Sequence, residues 1–150
     1  MFERILIATD GSKNGEKAAE VGIELAKRSG GKVIIVYVAD IGGYMSSAGI
    51  IPPFGGVSPD AIDTIEASIK EAGEKATLQV NELARASGVT SERLIVEGNP
   101  PSEILRLAED HKVDVIVMGS IGKTGLEKFL MGSVAEKVIR NSKLPVLIVR

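Results

Sequence analysis

Cysteine is absent from the 150 residues, and His111 is the single histidine. The first absence excludes disulfide bonds, thiol catalysis and cysteine-ligated metal centres, and it fits a protein kept in a reducing cytoplasm. His111 lies near the end of a helical pattern, where the helix dipole favours it. That position indicates a structural histidine rather than a catalytic one.

Long apolar runs and an excess of positive charge are also missing. No stretch approaches the roughly 18 apolar residues that a membrane-spanning helix needs. The first residues, MFERILIATDGS, lack the pattern of a secretory signal peptide. The net charge of -2 provides no basic face for nucleic acid. We therefore expect a cytoplasmic protein with neither a membrane nor a nucleic-acid partner.

Five short apolar runs predict the strands of a sheet. Most are continuous rather than alternating and are rich in valine and isoleucine, which is typical of strands buried on both faces of a parallel sheet. The runs are Ile5–Ala8, Val33–Val38, Leu94–Val96, Val113–Met118 and Val146–Val149.

Amphipathic segments between these runs predict four helices, over residues 13–29, 59–87, about 100–111 and 133–141. The alternation predicts one α/β domain over residues 1–150, a three-layer sandwich with right-handed crossovers around an open parallel sheet. Such a sheet has a ligand crevice at the carboxyl ends of its strands, where the winding direction reverses. Residues 41–58 form an unusually long Gly/Pro/Ser connection, which is either a lid or a plain insertion.

The segment MGSIGKTGLEKFLMGS, residues 118–133, contains a Gly-Lys-Thr triplet like the one that ends a P-loop. A P-loop has another glycine five residues before its Gly-Lys pair, but that position here is Val117, inside an apolar run. The glycines instead follow the spacing G-x2-G-x9-G-S, formed by Gly119, Gly122, Gly132 and Ser133.

This spacing predicts a phosphate site made of two separate backbone segments. Gly119 follows the fourth predicted strand and, without a Cβ atom, lets a ligand approach the chain closely. Gly132 and Ser133 open the last helix, whose free N–H groups and dipole favour an anion. Alternatively, Ser133 only caps its helix, because SVAE at 133–136 matches a capping box, and Lys123 is a solvated charge.

The first strand ends in ATDGS, residues 8–12. This end faces Gly119 if the winding reverses between the first and fourth strands. Asp10 is then placed to hold a ribose or a magnesium ion, although a turn or helix-cap role suits it equally well. Val38, at the end of the second strand, has backbone groups that suit the edge of a base.

The segments ATDGS, GNPPSEIL and VDVIVMGSIGKTGLEKFLMGSVAEKVIRNSKLPVLIV resemble the universal stress protein family, and the resemblance covers essentially the whole chain. It implies the strand order 3-2-1-4-5 in an adenine nucleotide alpha hydrolase-like, Rossmann-like fold. Members with the complete G-x2-G-x9-G-[S/T] pattern are of the ATP-binding type, so the resemblance implies bound ATP with Mg²⁺ or Mn²⁺ held through the phosphates. Ala8 is a departure, since members often have proline there.

The resemblance also implies roles for individual residues. Those at the ends of the first two strands would contact adenine and ribose, and those in and beside the glycine pattern would contact ribose and phosphates. The first set is Thr9, Asp10 and Val38, the second is Gly119, Gly122, Gly132, Ser133 and Val134, and the neighbouring Ala8, Met118 and Lys123 complete the candidate nucleotide-binding site.

We expect an ATP-binding regulatory or sensor protein of the stress response, read by an unidentified protein partner. The alternative is an ATPase. It would be slow or activated by a partner that supplies the missing group, because Asp10 is the only candidate general base near the phosphates and no catalytic set is identified. A third reading is a dimeric interaction protein whose glycines are structural. The last strand, Pro145 to Arg150, forms a sheet edge in the order 3-2-1-4-5, which predicts a homodimer.

Overall fold

The computed structural model describes residues 1–49, 58–122 and 131–150. Within these ranges, strands alternate with helices along the chain, and two helices separate the second strand from the third. The elements are β1 (Arg4–Ala8), α1 (Lys13–Ser29), β2 (Lys32–Ala39), α2 (Ile41–Ser47), α3 (Pro59–Ala86), β3 (Ser91–Glu97), α4 (Pro100–Asp110), β4 (Val115–Gly119), α5 (Ser133–Asn141) and β5 (Val146–Val149).

The five strands form one sheet in the order β3-β2-β1-β4-β5, and every pairing is parallel. The predicted order is confirmed. Ile7 of β1 lies opposite Ile35 on one side and Val117 on the other. The winding direction reverses at β1, so the carboxyl ends of β1 and β4 border the crevice where such sheets bind ligands.

Helices cover both faces of the sheet. Alternate residues of β1 face opposite layers: Ile5 and Ile7 pack with α1 and α3, and Leu6 packs with α4 and α5. All three have no solvent exposure. This double burial explains why β1 and β2 are continuous apolar runs, and it confirms the three-layer sandwich.

Local signals set several helix ends. Ser12 is the N-cap of α1 and accepts a hydrogen bond from the Gly15 N–H. Ser58 caps α3 and Pro59 is the first helical residue, so the helix begins at residue 59 as predicted. Within the described ranges, no helix combines the length and apolar character needed to cross a bilayer.

The connection after β2 differs from the expectation of an unstructured segment, because Ile41–Ser47 form α2. Asp40 begins this helix by accepting a hydrogen bond from the Gly43 N–H at 2.9 Å. Two glycines near its start have low helix propensity and hide it in the sequence. Residues 50–57 lie outside the described residues, so the choice between lid and insertion stays a prediction.

The limits of β4 also differ from the predicted Val113–Met118. The Val113 N–H bonds to the Ala108 carbonyl and so closes α4. The strand starts two residues later and includes Gly119. The apolar run begins before the strand because Val113, in the connection after α4, is buried like Val115, so hydropathy alone does not mark where β4 starts.

Candidate functional site

The segment after β1 is a turn held by its own side chains. The Thr9 N–H donates to the Val36 carbonyl at 2.9 Å, which extends the pairing with β2 by one residue. Thr9 Oγ1 accepts from the Gly11 N–H at 3.2 Å, and Asp10 Oδ1 accepts from the Ser12 N–H at 2.9 Å. Gly11 has a φ of 80°, which favours glycine. Asp10 therefore shapes the turn, and Ser12 is the helix cap.

The segment after β4, Ser120 to Gly122, is a second turn, fixed from outside. The Ser120 N–H donates to the Val149 carbonyl at 2.9 Å. The Ile121 N–H donates to Asn14 Oδ1 at 3.0 Å. This turn therefore depends on β5 and on the first turn of α1, which are remote from it in sequence.

Gly132 brings the start of α5 against this second turn. Its N–H donates to the Ser120 carbonyl at 2.6 Å, and a Cβ atom on Gly132 would lie 3.1 Å from that oxygen. Glycine allows this approach without displacing the turn. The two glycine segments of the G-x2-G-x9-G-S pattern thus lie side by side at the crevice.

Ser133 does not cap α5. The N-cap is Gly132, which makes no side-chain capping bond, and Ser133 is the first helical residue, with an exposed side chain. The capping-box interpretation of SVAE is therefore wrong, because a capping box needs its serine at the N-cap. The start of α5 lacks the side-chain cap that would otherwise occupy one of its N–H groups.

Asp10 and Gly122 bring the two turns together. Asp10 Oδ2 lies 2.9 Å from the position that a Cβ atom on Gly122 would take. The Asp10 carboxylate therefore lies directly against the glycine turn after β4. Among the described residues, no group of three or more His, Cys, Asp or Glu side chains is arranged so that it could hold a metal ion.

Four other candidate residues belong to the apolar core layer beside these turns, and two of them are partly exposed. They come from the carboxyl ends of three neighbouring strands and from the first turn of α5, and all belong to or pack against the core layer under α4 and α5. Ala8 and Met118 are buried, whereas Val38 and Val134 are half-buried. An apolar surface next to backbone polar groups is the usual lining of a small-molecule site.

Gly119 has a neighbour that the sequence did not indicate. A Cβ atom there would overlap Asn14 Oδ1 and lie 3.2 Å from the Asn14 carbonyl carbon. The glycine therefore makes room for α1. Asn14 itself was missed, because an asparagine in the first turn of a helix is ordinary and residues 119, 121 and 149 are more than 100 positions away.

The negative charge of Asp10 also affects the pKa of Tyr37, a buried residue of β2. Burial of the Tyr37 hydroxyl and, second, the negative charge of Asp10 raise the pKa of Tyr37 above its ordinary value of 10.0. Tyr37 is 8% exposed. Lys123 lies outside the described residues, so its predicted place in the site stays a prediction.

A separate groove lies at the opposite end of the sheet, between the ends of α4 and α5. Its lining includes Leu105, Val113 and Leu144, with Lys112 and Lys143 among the charged residues. Val113 and Leu144 precede β4 and β5, so this groove is at the amino ends of the strands. Open parallel sheets bind their ligands at the other end.

Comparison with known proteins identifies the same family by sequence and by structure. A family model described as "Universal stress protein family" matches residues 1–150. The universal stress protein MJ0531 of Methanocaldococcus jannaschii is 39% identical over 151 residues, which cover 100% of this chain and 83% of the relative.

Two solved structures share the fold. The structure of MJ0577, another protein of M. jannaschii, has a TM-score of 0.78 and 31% identity, covering 99% of this chain and 96% of that one. A universal stress protein solved in complex with cAMP has a TM-score of 0.68 and 26% identity, covering 99% of this chain and 97% of that one. The fold and the glycine spacing thus occur together in a chain similar to these proteins throughout its length.

Proposed function

The chain belongs to the universal stress protein family, and we propose that it binds ATP at the crevice between β1 and β4. The observation that carries the proposal is the hydrogen bond from Gly132 to the Ser120 carbonyl, which joins the two glycine segments at this crevice. We further propose that the protein is a cytoplasmic regulator of the stress response, whose nucleotide-loaded state is recognised by a protein partner.

Each part of the nucleotide has a suitable surface. The adenine ring fits against the half-buried Val38, over the apolar layer that contains Ala8 and Met118, and the Asp10 carboxylate suits a ribose hydroxyl or the metal ion. The phosphates fit the start of α5, where backbone N–H groups and the helix dipole favour anions. A universal stress protein with 26% identity that was solved with cAMP supports an adenine nucleotide as the ligand class.

The test uses the first residue of α5. Replacing exposed Ser133 with glutamate places a negative charge at the helix N-terminus, which stabilises the helix itself. The same charge repels phosphates a few ångströms away. In calorimetric titrations with Mg-ATP, we expect Ser133→Glu to weaken binding roughly tenfold or more. Ser133→Gln loses the same hydroxyl and has nearly the same shape as the glutamate variant without the charge, so it should bind Mg-ATP more tightly than Ser133→Glu.

Three results would contradict the proposal. The first is that the unmodified protein shows no heat of binding with Mg-ATP. The second is that the glutamate and glutamine variants bind Mg-ATP equally well, and the third is that GTP binds as tightly as ATP. Mass spectrometry of nucleotide released from the purified, denatured protein separates the functions. Retained ATP supports a sensor, whereas ADP alone supports a slow ATPase.

A further inference from the structure

We propose that Asn14 is a positioning residue for the phosphate side of the nucleotide site. It ties the turn after β4 to the end of β5 and to the start of α1. The inference rests on the proposed ATP binding, and it identifies a residue outside the glycine pattern that sets how tightly the phosphate chain is held.

The Asn14 side chain bonds to two backbone groups that are far apart in sequence. Its Nδ2 donates to the Val149 carbonyl at 3.1 Å, and its Oδ1 accepts from the Ile121 N–H at 3.0 Å. The same Val149 carbonyl accepts from the Ser120 N–H at 2.9 Å. Two successive N–H groups of the turn are thus held by one carbonyl and one side chain.

This turn in turn locates the start of α5. The Ser120 carbonyl accepts from the Gly132 N–H at 2.6 Å, and Gly132 is the N-cap of α5. A continuous series of hydrogen bonds therefore leads from Asn14 through the turn to the N–H groups proposed to bind phosphate. Because the oxygen and the nitrogen of the Asn14 amide both bond to main chain, we expect Asn14 to act through the turn and not by touching the nucleotide.

The position of Asn14 on α1 relates the two sides of the crevice. Helix α1 begins directly after the turn that carries Asp10, and Asn14 is its second residue. The rigid first turn of α1 thus fixes the glycine turn relative to Asp10, where ribose or metal is proposed to bind. Gly119 admits this contact, since a side chain there would occupy the place of the Asn14 amide.

Removal of the amide has a specific consequence. Without Asn14 the Ile121 N–H loses its partner, and the turn samples other conformations that the phosphates must then order. Affinity for ATP falls, because its phosphates use this turn. Affinity for adenosine stays, because adenosine has no phosphate and rests on Asp10 and the apolar layer.

The experiment compares Asn14→Ala with Glu20→Ala, an exposed position on the same helix. For Asn14→Ala, we expect the dissociation constant of Mg-ATP to rise about tenfold, the equivalent of one or two net hydrogen bonds. Adenosine affinity should stay within about twofold of the unmodified protein. Glu20→Ala should leave both ligands unchanged. Unchanged ATP affinity in Asn14→Ala, or an equal loss for adenosine, would overturn the proposal.

A second measurement needs no nucleotide. In Asn14→Ala the amide hydrogen of Ile121 should exchange with solvent at least about tenfold faster, while that of Ile7 in the core of β1 keeps its protection. Unaltered exchange at Ile121 would show that Asn14 does not hold the turn after β4, whether or not the protein binds ATP. If the unmodified protein does not bind ATP but Ile121 exchanges faster in Asn14→Ala, the proposed function is wrong and the structural role of Asn14 in holding the turn is supported.

The Gly119 contact provides a third measurement. Gly119→Ala should lower the melting temperature by several degrees in the unmodified background, because its Cβ overlaps Asn14 Oδ1. The same change should lower it less than half as much in Asn14→Ala, since the overlapping atom is gone. Equal decreases in both backgrounds would show that Asn14 does not occupy this place.

Discussion

At the residue scale, single polar side chains join segments that are remote in sequence. Asp114 Oδ2 accepts hydrogen bonds from the N–H groups of Glu3 and Arg4, each at 2.8 Å. This contact aligns the start of β1 with the start of β4, and Asn14 makes the corresponding link at the carboxyl end. Asp114 therefore links β1 and β4 at their amino ends, and Asn14 links α1 to β5 and to the turn after β4 at the carboxyl end.

A second residue, Tyr37, makes the stability of the protein depend on pH. Its pKa is raised above 10.0, first by burial and second by the charge of Asp10. Above pH 10 the hydroxyl therefore ionises in the unfolded chain while it stays protonated in the folded protein. The unfolded state then binds fewer protons, so the free energy of unfolding falls as pH rises. Below pH 10 this contribution is fully present.

We expect Tyr37→Phe to lose less stability than the unmodified protein between pH 9.5 and 11 (a range chosen around the ordinary tyrosine pKa of about 10). Urea midpoints measured across this range provide the test, and Tyr44→Phe controls for loss of a hydroxyl at an exposed tyrosine. Parallel pH profiles for Tyr37→Phe and the unmodified protein would show that Tyr37 ionises equally easily in both states.

At the element scale, the effect of a helical glycine on stability depends on whether other atoms occupy the position that its Cβ atom would take. Gly73 of α3 is buried, and a Cβ atom there would lie 2.5 Å from Tyr37 Cδ1. Helix α3 therefore approaches β2 closely only because residue 73 has no side chain. Gly42 of α2 has no heavy atom within 4 Å of its Cβ position. Its glycine serves no packing purpose.

Two alanine substitutions test this contrast. Gly73→Ala should destabilise the protein by about 1–3 kcal/mol, because overpacking against the Tyr37 ring outweighs the gain in helix propensity. Gly42→Ala should stabilise it by up to about 1 kcal/mol, since alanine favours the helix and meets nothing. Denaturant midpoints at constant slope measure both changes. Two shifts of the same sign would contradict the packing of α3 on Tyr37 or the presence of α2.

At the scale of the whole molecule, β5 is an edge of the sheet. The Pro145 and Val149 carbonyls accept bonds from Ile116 and Ser120, which shows that odd-numbered residues direct their backbone groups toward β4. Successive residues of a strand point these groups to opposite sides. Val146 and Ile148 therefore present theirs at the outer edge, where a second copy of the chain would pair if the proposed homodimer forms.

Proline at position 148 tests the homodimer selectively. Ile148→Pro removes an outward N–H and leaves the bonds to β4, so we expect a monomer that stays folded. Ile148→Ala loses the same side-chain packing but keeps the donor, and it should remain dimeric. Leu147→Pro removes an inward N–H and should unfold the protein. Light scattering at micromolar concentration would reject the dimer if the unmodified protein has the 15.8 kDa mass of one chain.

The sequence by itself determined the layers and the order of elements, because burial on both faces leaves a continuous apolar run and helix caps are local. Ser58 with Pro59 marked the start of α3 in this way. The glycine spacing likewise predicted which two backbone segments meet at the crevice. The resemblance to the universal stress proteins added the strand order, which hydropathy does not encode.

Only the tertiary structure decided what surrounds each of these residues. It showed that Gly119 accommodates Asn14, that Gly132 rather than Ser133 caps α5, and that seven residues after Asp40 form a helix. The physical reason is that each outcome depends on a contact with atoms distant in sequence or on a balance of weak local preferences. Asn14 meets Ile121 only because α1, β4 and β5 converge at one edge of the sheet, and no local pattern records that convergence.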